Sequence, residues 1–162
     1  MRGWPVMAHA RPNAAHRALA ALERDGRVHG LITQNVDRLH QRAGHRRVLE
    51  LHGALAEVLC LDCGARVSRA AVQQRLEQDN AFVLRAAASA APDGDADLAE
   101  NLDLADFLVP ACERCGGMLK PDVVFYGDSV PRGRVADATD LVDRADAVLV
   151  VGSSLMVFSS FR

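Results

Sequence analysis

The sequence predicts an α/β fold that is built on a parallel sheet and carries a smaller inserted module. Helical and extended patterns alternate over residues 13–53, as they do in α/β folds. A late segment, AVLVVGSSL, is apolar up to its glycine, which is typical of a buried parallel strand. Between these stretches two matched cysteine pairs interrupt the alternation, which indicates a separate module.

The first third of the chain predicts a helix, a strand, a short helix and a second strand. The first helix is predicted by PNAAHRALAALERDGR, where Asn13 is an N-cap and apolar residues recur at helical spacing. Gly26 follows its last turn, where a left-handed C-cap belongs. The next three elements are predicted by VHGLITQN, DRLHQRAG and RVLELHG, and the last of them stops at His52 and Gly53.

The rest of the chain mixes extended and helical patterns. A short strand is predicted by ALAEVL, a helix by RAAVQQRLEQDNAFVLRAAASA and a surface turn by APDGDAD. An extended segment, KPDVVF, follows the second cysteine pair. A last helix is predicted by GRVADATDLVDRADA, which has apolar residues on one face, and AVLVVGSSL is expected to close the sheet.

Composition excludes several classes of function. The 162 residues are 49% hydrophobic and 25% charged, which is ordinary for a globular protein. A net charge of −2 gives no electrostatic signal for nucleic acid or an anionic membrane. The N-terminus lacks the apolar stretch of a signal peptide, and no run approaches the ~20 apolar residues of a membrane helix. We therefore expect a soluble, cytoplasmic protein, and the composition suggests a bacterial one.

The two cysteine pairs are the strongest chemical signal. Cys60-x-x-Cys63 and Cys112-x-x-Cys115 each precede a glycine and use all the cysteines of the chain. Two residues between thiolates let both bind one ion, and the glycine permits a tight turn. Disulfides are disfavoured without secretion, and a redox pair would rarely occur twice. We predict one structural zinc ion with four thiolate ligands and no open coordination position.

A polar stretch follows the first predicted strand. Leu31–Thr33 gives way to Gln34, Asn35 and Asp37. Amides can bind hydroxyl groups, and a carboxylate can accept a hydrogen bond from an NH2 group, so the stretch suits a ligand that has both. The alternative is that Asn35 and Asp37 only cap the next helix.

The most specific signal is a set of four segments that occur in a fixed order. They are TQNVDRLHQRAG, LELHG, the two C-x-x-C-G pairs, and LKPDVVFYGD followed by VLVVGSSL. In this combination the chain resembles the sirtuins, a family of NAD-dependent protein-lysine deacylases, over nearly its whole length. The details CLDCG, APDGD, CGGMLKPDVVFYGD and VVGSSL are similar to the class II, mitochondrial-type branch that includes sirtuin 4. The resemblance implies a partial Rossmann-like NAD-binding domain at 1–57 and 118–162, with a zinc-binding small domain at 58–117.

The resemblance implies roles for the residues around NAD. Gln34 and Asn35 would hydrogen-bond the ribose and order a water molecule. Asp37 would accept a hydrogen bond from the nicotinamide carboxamide. The adenosine side of NAD would meet a turn formed by Gly152, Ser153 and Ser154. Gly-Ser-Ser alone would suggest only an ordinary strand-to-loop turn.

The resemblance also implies a catalytic base and a substrate site. His52 stands where LELHG of the family carries its catalytic histidine, and an imidazole can take a proton near neutral pH. Val124 would offer a carbonyl oxygen to the acyl-lysine amide, and Phe125 would wall the acyl-lysine tunnel; without the family, both would be interpreted as core. The partner would be an acylated-lysine protein or peptide, whose acyl group passes to ADP-ribose while nicotinamide is released.

Two further expectations concern the ends of the chain and the competing functions. The family's Gly-Ala-Gly-Ile-Ser-type loop should precede Met1, and its adenine-binding segment should follow Arg162, so we expect a chain truncated at both ends. The alternative function is a catalytically incompetent, zinc-stabilised module that only binds. A zinc-ribbon binder of nucleic acid is disfavoured by the net charge.

Overall fold

The computed structural model describes residue 1 and residues 3–85, 88–90, 96–98 and 103–153. The helices are α1 (Trp4–His9), α2 (Ala14–Arg24), α3 (Leu39–Arg42), α4 (Arg69–Asp79), α5 (Ala81–Arg85) and α6 (Arg132–Asp143). The strands are β1 (Leu31–Thr33), β2 (Val48–Glu50), β3 (Gly53–Cys60), β4 (Arg66–Ser68), β5 (Ala88–Ala90), β6 (Ala96–Leu98) and β7 (Leu119–Val123). Within these ranges no helix is long and apolar enough to cross a membrane. Residues 91–95 of the predicted turn and Ser154 lie outside this description.

Helix α2 forms where the sequence predicts it. The Asn13 side chain accepts a hydrogen bond from the His16 amide nitrogen at 3.1 Å, and Gly26 adopts a φ of 73° after the last turn. Near its C-terminal end, Glu23 accepts from the amide nitrogens of Arg46 and Arg47, both at 2.8 Å. These bonds tie the end of the helix to the chain that enters β2.

Strands β1 and β2 form a parallel pair. Leu31 pairs with Val48 and Thr33 with Glu50, and the Leu51 amide nitrogen continues the ladder to the Thr33 oxygen at 2.9 Å. A Cβ on Gly30 would lie 2.8 Å from a methyl group of Leu141, so α6 packs directly against the entry to β1. The predicted α/β class with a parallel sheet is confirmed.

Strands β4, β3 and β7 form an antiparallel sheet in that order. Val58 of β3 pairs with Val67 on one side and with Pro121 on the other, and a register irregularity separates Val58 from Gly53. Much of the buried apolar core lies on β3 and the helices beside it: Ala54, Val58, Cys60, Val72 and Val83. This sheet therefore joins the two cysteine pairs to the parallel strands.

The predicted helix after β4 divides into α4 and α5 at Asn80. The Asn80 side chain is fully buried. Its amide nitrogen donates to the Leu76 oxygen at 3.0 Å and to the Leu108 oxygen at 2.9 Å, and its oxygen accepts from the Leu108 amide nitrogen at 2.7 Å. An asparagine side chain that bonds the backbone competes with helix propagation, which explains the break.

The closing strand predicted from AVLVVGSSL is not formed in the described residues. Residues 147–151 have no strand structure, and the side chains are 46–73% exposed at Val148, Leu149, Val150 and Val151. A parallel strand needs a neighbour to complete its hydrogen bonds, and no described strand pairs with this segment. An apolar pattern indicates that a segment can be buried, but it does not indicate which strand would pair with it.

The division into residues 1–57, 118–162 and 58–117 remains a prediction. Strand β3 crosses the proposed boundary between residues 57 and 58, and it pairs with β7 along its second half. The zinc module and the parallel strands therefore share one continuous strand.

Candidate metal centre and active site

The four cysteine sulfur atoms converge at one point. All lie within 4.8 Å of one another; Cys60 Sγ is 3.5 Å from Cys115 Sγ, and Cys63 Sγ is 3.8 Å from Cys112 Sγ. Four sulfurs on a tetrahedron around zinc, each ~2.3 Å from the ion, are roughly 3.8 Å apart. Both the donor type and the spacing fit one zinc ion with four thiolate ligands, as the sequence predicts.

The two cysteine knuckles have the same backbone design. The Gly64 amide nitrogen donates to the Cys60 oxygen at 3.0 Å, and the Gly116 nitrogen donates to the Cys112 oxygen at 2.7 Å. The two glycines have φ values of 68° and 75°, a region that costs residues with a side chain. The sequence interpretation of these glycines as tight-turn residues is confirmed.

Asp62 joins one knuckle to the other, a contact that sequence reasoning missed. Its carboxylate accepts from the Met118 amide nitrogen at 2.9 Å, while the Leu61 nitrogen donates to the Met118 oxygen at 2.9 Å. A Cβ on Gly117 would overlap the Asp62 carboxylate. Gly117, the second glycine of CGG, thus makes room for the Asp62 side chain of the opposite knuckle. The doubled glycine in the sequence was the signal that could have indicated this contact.

Crowding of the thiols shifts their pKa values in opposite directions. Hydrogen bonds from the Cys63 and Asp62 backbone, together with neighbouring thiols, lower the pKa of Cys60 to about 7. The Gly117 backbone lowers the pKa of Cys115, but contacts with the Cys63 and Cys60 thiols outweigh it and raise that pKa to about 12. Four thiols cannot easily all ionise together, and a bound cation changes this balance through its own charge.

The polar stretch after β1 forms a tight loop at the carboxyl end of the strand. The Thr33 hydroxyl accepts from the Asn35 amide nitrogen at 3.1 Å, and the Asp37 carboxylate accepts from the Leu39 nitrogen at 2.8 Å. Asp37 therefore makes a local bond to the first residue of α3, but the N-cap position is Arg38, which has no side-chain cap, and neither Asn35 nor Asp37 occupies it. The Leu55 nitrogen donates to the Val36 oxygen at 2.9 Å, which fastens this loop to β3.

His52 lies in the turn between β2 and β3, beside that loop. Since Thr33 and Glu50 are register partners, the residues that follow them, Gln34 and Leu51–His52, emerge at the same edge of the parallel pair. The Val124 amide nitrogen donates to the His52 carbonyl oxygen at 2.9 Å. The structure thus brings the predicted nicotinamide-side, catalytic and substrate residues together.

Gly53 permits this arrangement. It has a φ of 85°, and a Cβ there would overlap the Asp122 carbonyl oxygen. Burial alone would raise the pKa of Asp122, but hydrogen bonds from Arg66 and Arg134 lower it below its ordinary value. Asp122 is thus a charged centre that holds β4, β7 and α6 together, and sequence reasoning did not identify it.

The remaining predicted site residues lie at the surface. Phe125 is 48% exposed and the Lys120 ammonium lies 5.2 Å from its ring centroid, so the interpretation of Phe125 as core is wrong. Gly152 and Ser153 are exposed and follow the segment that forms no strand. Gly152 and Ser153 do not follow a strand that pairs with β1 or β2, so strand pairing does not place them beside the other site residues. Ser154 lies outside the described residues.

Comparison with known proteins agrees with this geometry. A profile of the Sir2 family matches residues 1–159. NAD-dependent protein deacetylase 2 of Bradyrhizobium diazoefficiens is 59% identical over 160 residues, which cover 99% of this chain and 58% of that protein. NAD-dependent protein deacetylase of Bordetella bronchiseptica is 57% identical over 162 residues, which cover 100% of this chain and 59% of that protein.

Solved structures give the same match. A Sir2 with a p53 peptide and NAD+ has a TM-score of 0.72 and 35% identity, over 95% of this chain and 52% of that one. A sirtuin from a study of substrate affinity has a TM-score of 0.73 and 35% identity, over 95% of this chain and 54% of that one. The chain therefore spans between half and three fifths of the length of these relatives.

Proposed function

Because the chain belongs to the Sir2 family, we propose that it is the catalytic-histidine and zinc-binding portion of an NAD-dependent protein-lysine deacylase. One observation carries the proposal. The register of β1 and β2 puts Gln34 beside the turn of His52, and the Val124 nitrogen bonds the His52 oxygen at 2.9 Å. The residues that we propose for NAD, for the base and for pairing with a peptide therefore lie at one sheet edge.

The donor set of the loop fits the nicotinamide and ribose part of NAD. Gln34 and Asn35 present amides suited to ribose hydroxyls, and Asp37 presents a carboxylate suited to a carboxamide NH2. One Asp37 oxygen accepts from the Leu39 nitrogen, so this bond holds the carboxylate in place and its other oxygen can face the ligand. Bound NAD would supply the ribose carbon that receives the acyl oxygen and the nicotinamide that leaves.

His52 would act as the general base in this scheme. An imidazole nitrogen can take a proton from a ribose hydroxyl. Its backbone is fixed on both sides, by the Leu51 bond to Thr33 and by the Val124 bond to its own oxygen. Its position is therefore set by two strands rather than by a mobile loop.

The acylated-lysine substrate would bind along the segment that leaves β7. Val124 and Phe125 follow the last paired residue of that strand, and an extended backbone can add a peptide as a further strand. The exposed Phe125 ring is available to contact the acyl-lysine stem. The partner is thus a protein or peptide with an acylated lysine.

The zinc ion would have a structural role. All four of its positions are taken by thiolates, so it has no position for a substrate or an activated water. It would fasten the far ends of β3 and β7, whose near ends carry Gly53 and Val123 next to the site. Zinc would therefore act on activity through the register of these strands.

A second candidate function is a zinc-stabilised module that binds but does not catalyse. It is favoured by one observation, that the proposed peptide edge at Val124 directly follows β7, which pairs with the cysteine-bearing strand β3 and not with the parallel strands. Under this proposal the substrate edge near Val124 still pairs with an acylated peptide, whereas NAD is not consumed. Peptide binding without peptide turnover would distinguish it from the enzyme.

We also propose a branch of the family and a cellular location. The class II branch that includes sirtuin 4 rests on CLDCG, APDGD, CGGMLKPDVVFYGD and VVGSSL, and the bacterial relatives give it no support. A bacterial cytoplasm is our proposed location, because the cysteines are free of disulfides and the relatives are bacterial.

Calorimetric titration of NAD into the zinc-loaded chain tests the main proposal. We expect a dissociation constant between micromolar and millimolar, weakened about tenfold by Asp37→Asn. Asp25→Asn, at the C-terminal end of α2, is the matched control and should bind as the wild type does. An acetyl-lysine peptide assay, with His52→Ala as its negative control, follows. A folded, zinc-loaded chain that binds no NAD would contradict the main proposal.

A further inference from the structure

Arg38 combines a rare backbone conformation with an unusual set of partners. It is the one non-glycine residue with a positive φ, 58°, in the described part of the chain. Its Nε lies 3.1 Å from Glu50 Oε1, and its Nη1 lies 2.9 Å from Glu57 Oε1. All three side chains are partly buried, at 34%, 21% and 30% exposure.

The partners of Arg38 lie on both sides of the His52 turn. Glu50 is the last residue of β2 and is two positions before His52. Glu57 lies within β3, the strand that begins directly after His52. Arg38 itself follows Asp37 and precedes α3. Its guanidinium therefore connects the end of the polar loop to the strand before His52 and to the strand after it.

Local stability does not account for an arginine at this position. A residue with a side chain pays for a left-handed conformation, and glycine does not. Partly exposed ion pairs contribute little to folding. A glycine would suit this backbone better, so the formation of the turn does not require the guanidinium.

We propose that Arg38 is a positioning residue, which locks the loop Gln34–Asp37 against the His52 turn by bridging Glu50 and Glu57. The inference rests on the proposed function, because the loop matters to affinity only if it binds NAD. Gln41 reinforces the bridge, since its side-chain nitrogen donates to Glu50 Oε1 at 2.8 Å. Pre-set ligand groups bind more tightly than groups that must first be ordered.

The test compares Arg38→Gly, Arg38→Met and Glu57→Gln with wild type in the zinc-loaded chain. Arg75→Met is the matched control: Arg75 pairs with Glu113 in the zinc module, away from the loop. Hydrogen exchange is measured at the amides of Asn35, Leu39 and Leu55, which bond within or onto the loop. NAD dissociation constants and melting temperatures are measured on the same samples.

We expect the three variants to exchange at least about tenfold faster at these amides and to bind NAD about five- to tenfold more weakly. Arg38→Gly should lose affinity while its melting temperature stays close to wild type, because relief of the positive φ offsets the lost ion pairs. A purely structural residue would not separate the two measurements. Arg75→Met should leave loop exchange and NAD affinity unchanged.

The outcomes separate this inference from the function on which it rests. If wild type binds no NAD but loop exchange still rises in the Arg38 variants, the proposed function fails and the positioning role stands. If Arg38→Gly and Arg38→Met leave exchange at Asn35, Leu39 and Leu55 unchanged, the positioning role is overturned, whatever the NAD affinity.

Discussion

The Val124 amide nitrogen donates a hydrogen bond to the His52 carbonyl oxygen over 2.9 Å. This bond makes the end of β7 and the β2–β3 turn one unit. It forms because Gly53, the next residue, lets the backbone of Asp122 approach closely. The residue proposed as base and the residue proposed to pair with substrate are therefore positioned by the same contact.

Gly53→Ala should strongly destabilise the protein. The new Cβ would combine a positive φ with an overlap on the Asp122 carbonyl, so we expect a loss of about 3 kcal/mol or more in the free energy of unfolding. Gly127→Ala is the matched control, because Gly127 has a similar φ of 89° but nothing within 4 Å. It should cost only about 1 kcal/mol. The free energy of unfolding is measured in urea. If both variants lose the same amount, the close approach of Asp122 to Gly53 is not what makes Gly53→Ala costly.

Cys112→Ser should remove the metal and loosen the small domain. A hydroxyl is a poor substitute for a thiolate, so zinc content should fall from about one ion per chain to near zero, and the melting temperature should fall with it. Ala65→Ser, in the first knuckle but not a ligand, should keep both values. Metal analysis and thermal melting check this, and a zinc-loaded Cys112→Ser protein would contradict the four-thiolate site.

Three imidazoles form a row between α2, α3 and the entry to β2. The His40 ring centroid lies 4.7 Å from that of His16 and 5.4 Å from that of His45. Burial lowers the pKa of His40, and the charges of His16 and His45 lower it further, against an opposing contribution from Asp37. The His45 side chain is fully buried, with Nδ1 3.6 Å from Glu23.

Stability should therefore fall as the pH drops below the ordinary histidine value of ~6.5. The folded state holds His40 neutral to a lower pH than the unfolded state does, so the unfolded state gains protons first and is favoured. His40→Gln should show a smaller drop in melting temperature between pH 7 and 5.5 than wild type. His9→Gln, outside this row, should keep the full drop. If wild type, His40→Gln and His9→Gln show the same change of melting temperature with pH, His40 is not the group that causes the loss of stability.

Asn80→Leu should destabilise the zinc module even though leucine is apolar and of similar size. The change leaves the nitrogen and the oxygen of Leu108 without their partner and removes the second of two bonds to the Leu76 oxygen, at a cost of about 2–4 kcal/mol. Gln74→Leu, an exposed amide on α4, should change stability by less than about 0.5 kcal/mol. The free energy of unfolding of both variants is measured in urea. An Asn80→Leu variant as stable as wild type would show that the side-chain bonds of Asn80 do not stabilise the fold.

The sequence predicts best where the cause of a structure is local. The Asn13 cap, the left-handed turn at Gly26 and the two knuckles depend on residues within a few positions of each other, and the structure has them all. The convergence of the four cysteines also follows, because one ion requires it. These features need no knowledge of the rest of the fold.

The contacts between distant segments could not be predicted in this way. The residues next to Asp122 in the chain do not indicate that it bonds Arg66 and Arg134. Likewise, the residues next to Arg38 do not indicate its ion pair with Glu57. The failure at Val148–Val151 has the same origin, because strand formation depends on a neighbour that an apolar run does not specify. For Asp37, a local bond to the backbone and ligand binding use the same carboxylate, so the sequence alone could not separate them.

The sheet that carries the cysteines also bears on the order of folding events. Leu59 pairs with Lys120, whereas Leu31 pairs with Val48, so β3 and β7 must find each other across a much longer stretch of chain. Closing the longer loop costs more entropy and slows folding. A zinc ion that joins Cys60 and Cys63 to Cys112 and Cys115 closes almost the same loop, as a crosslink would. Zinc bound to all four cysteines would therefore lower the entropic cost of adding the second sheet to the β1–α3–β2 unit.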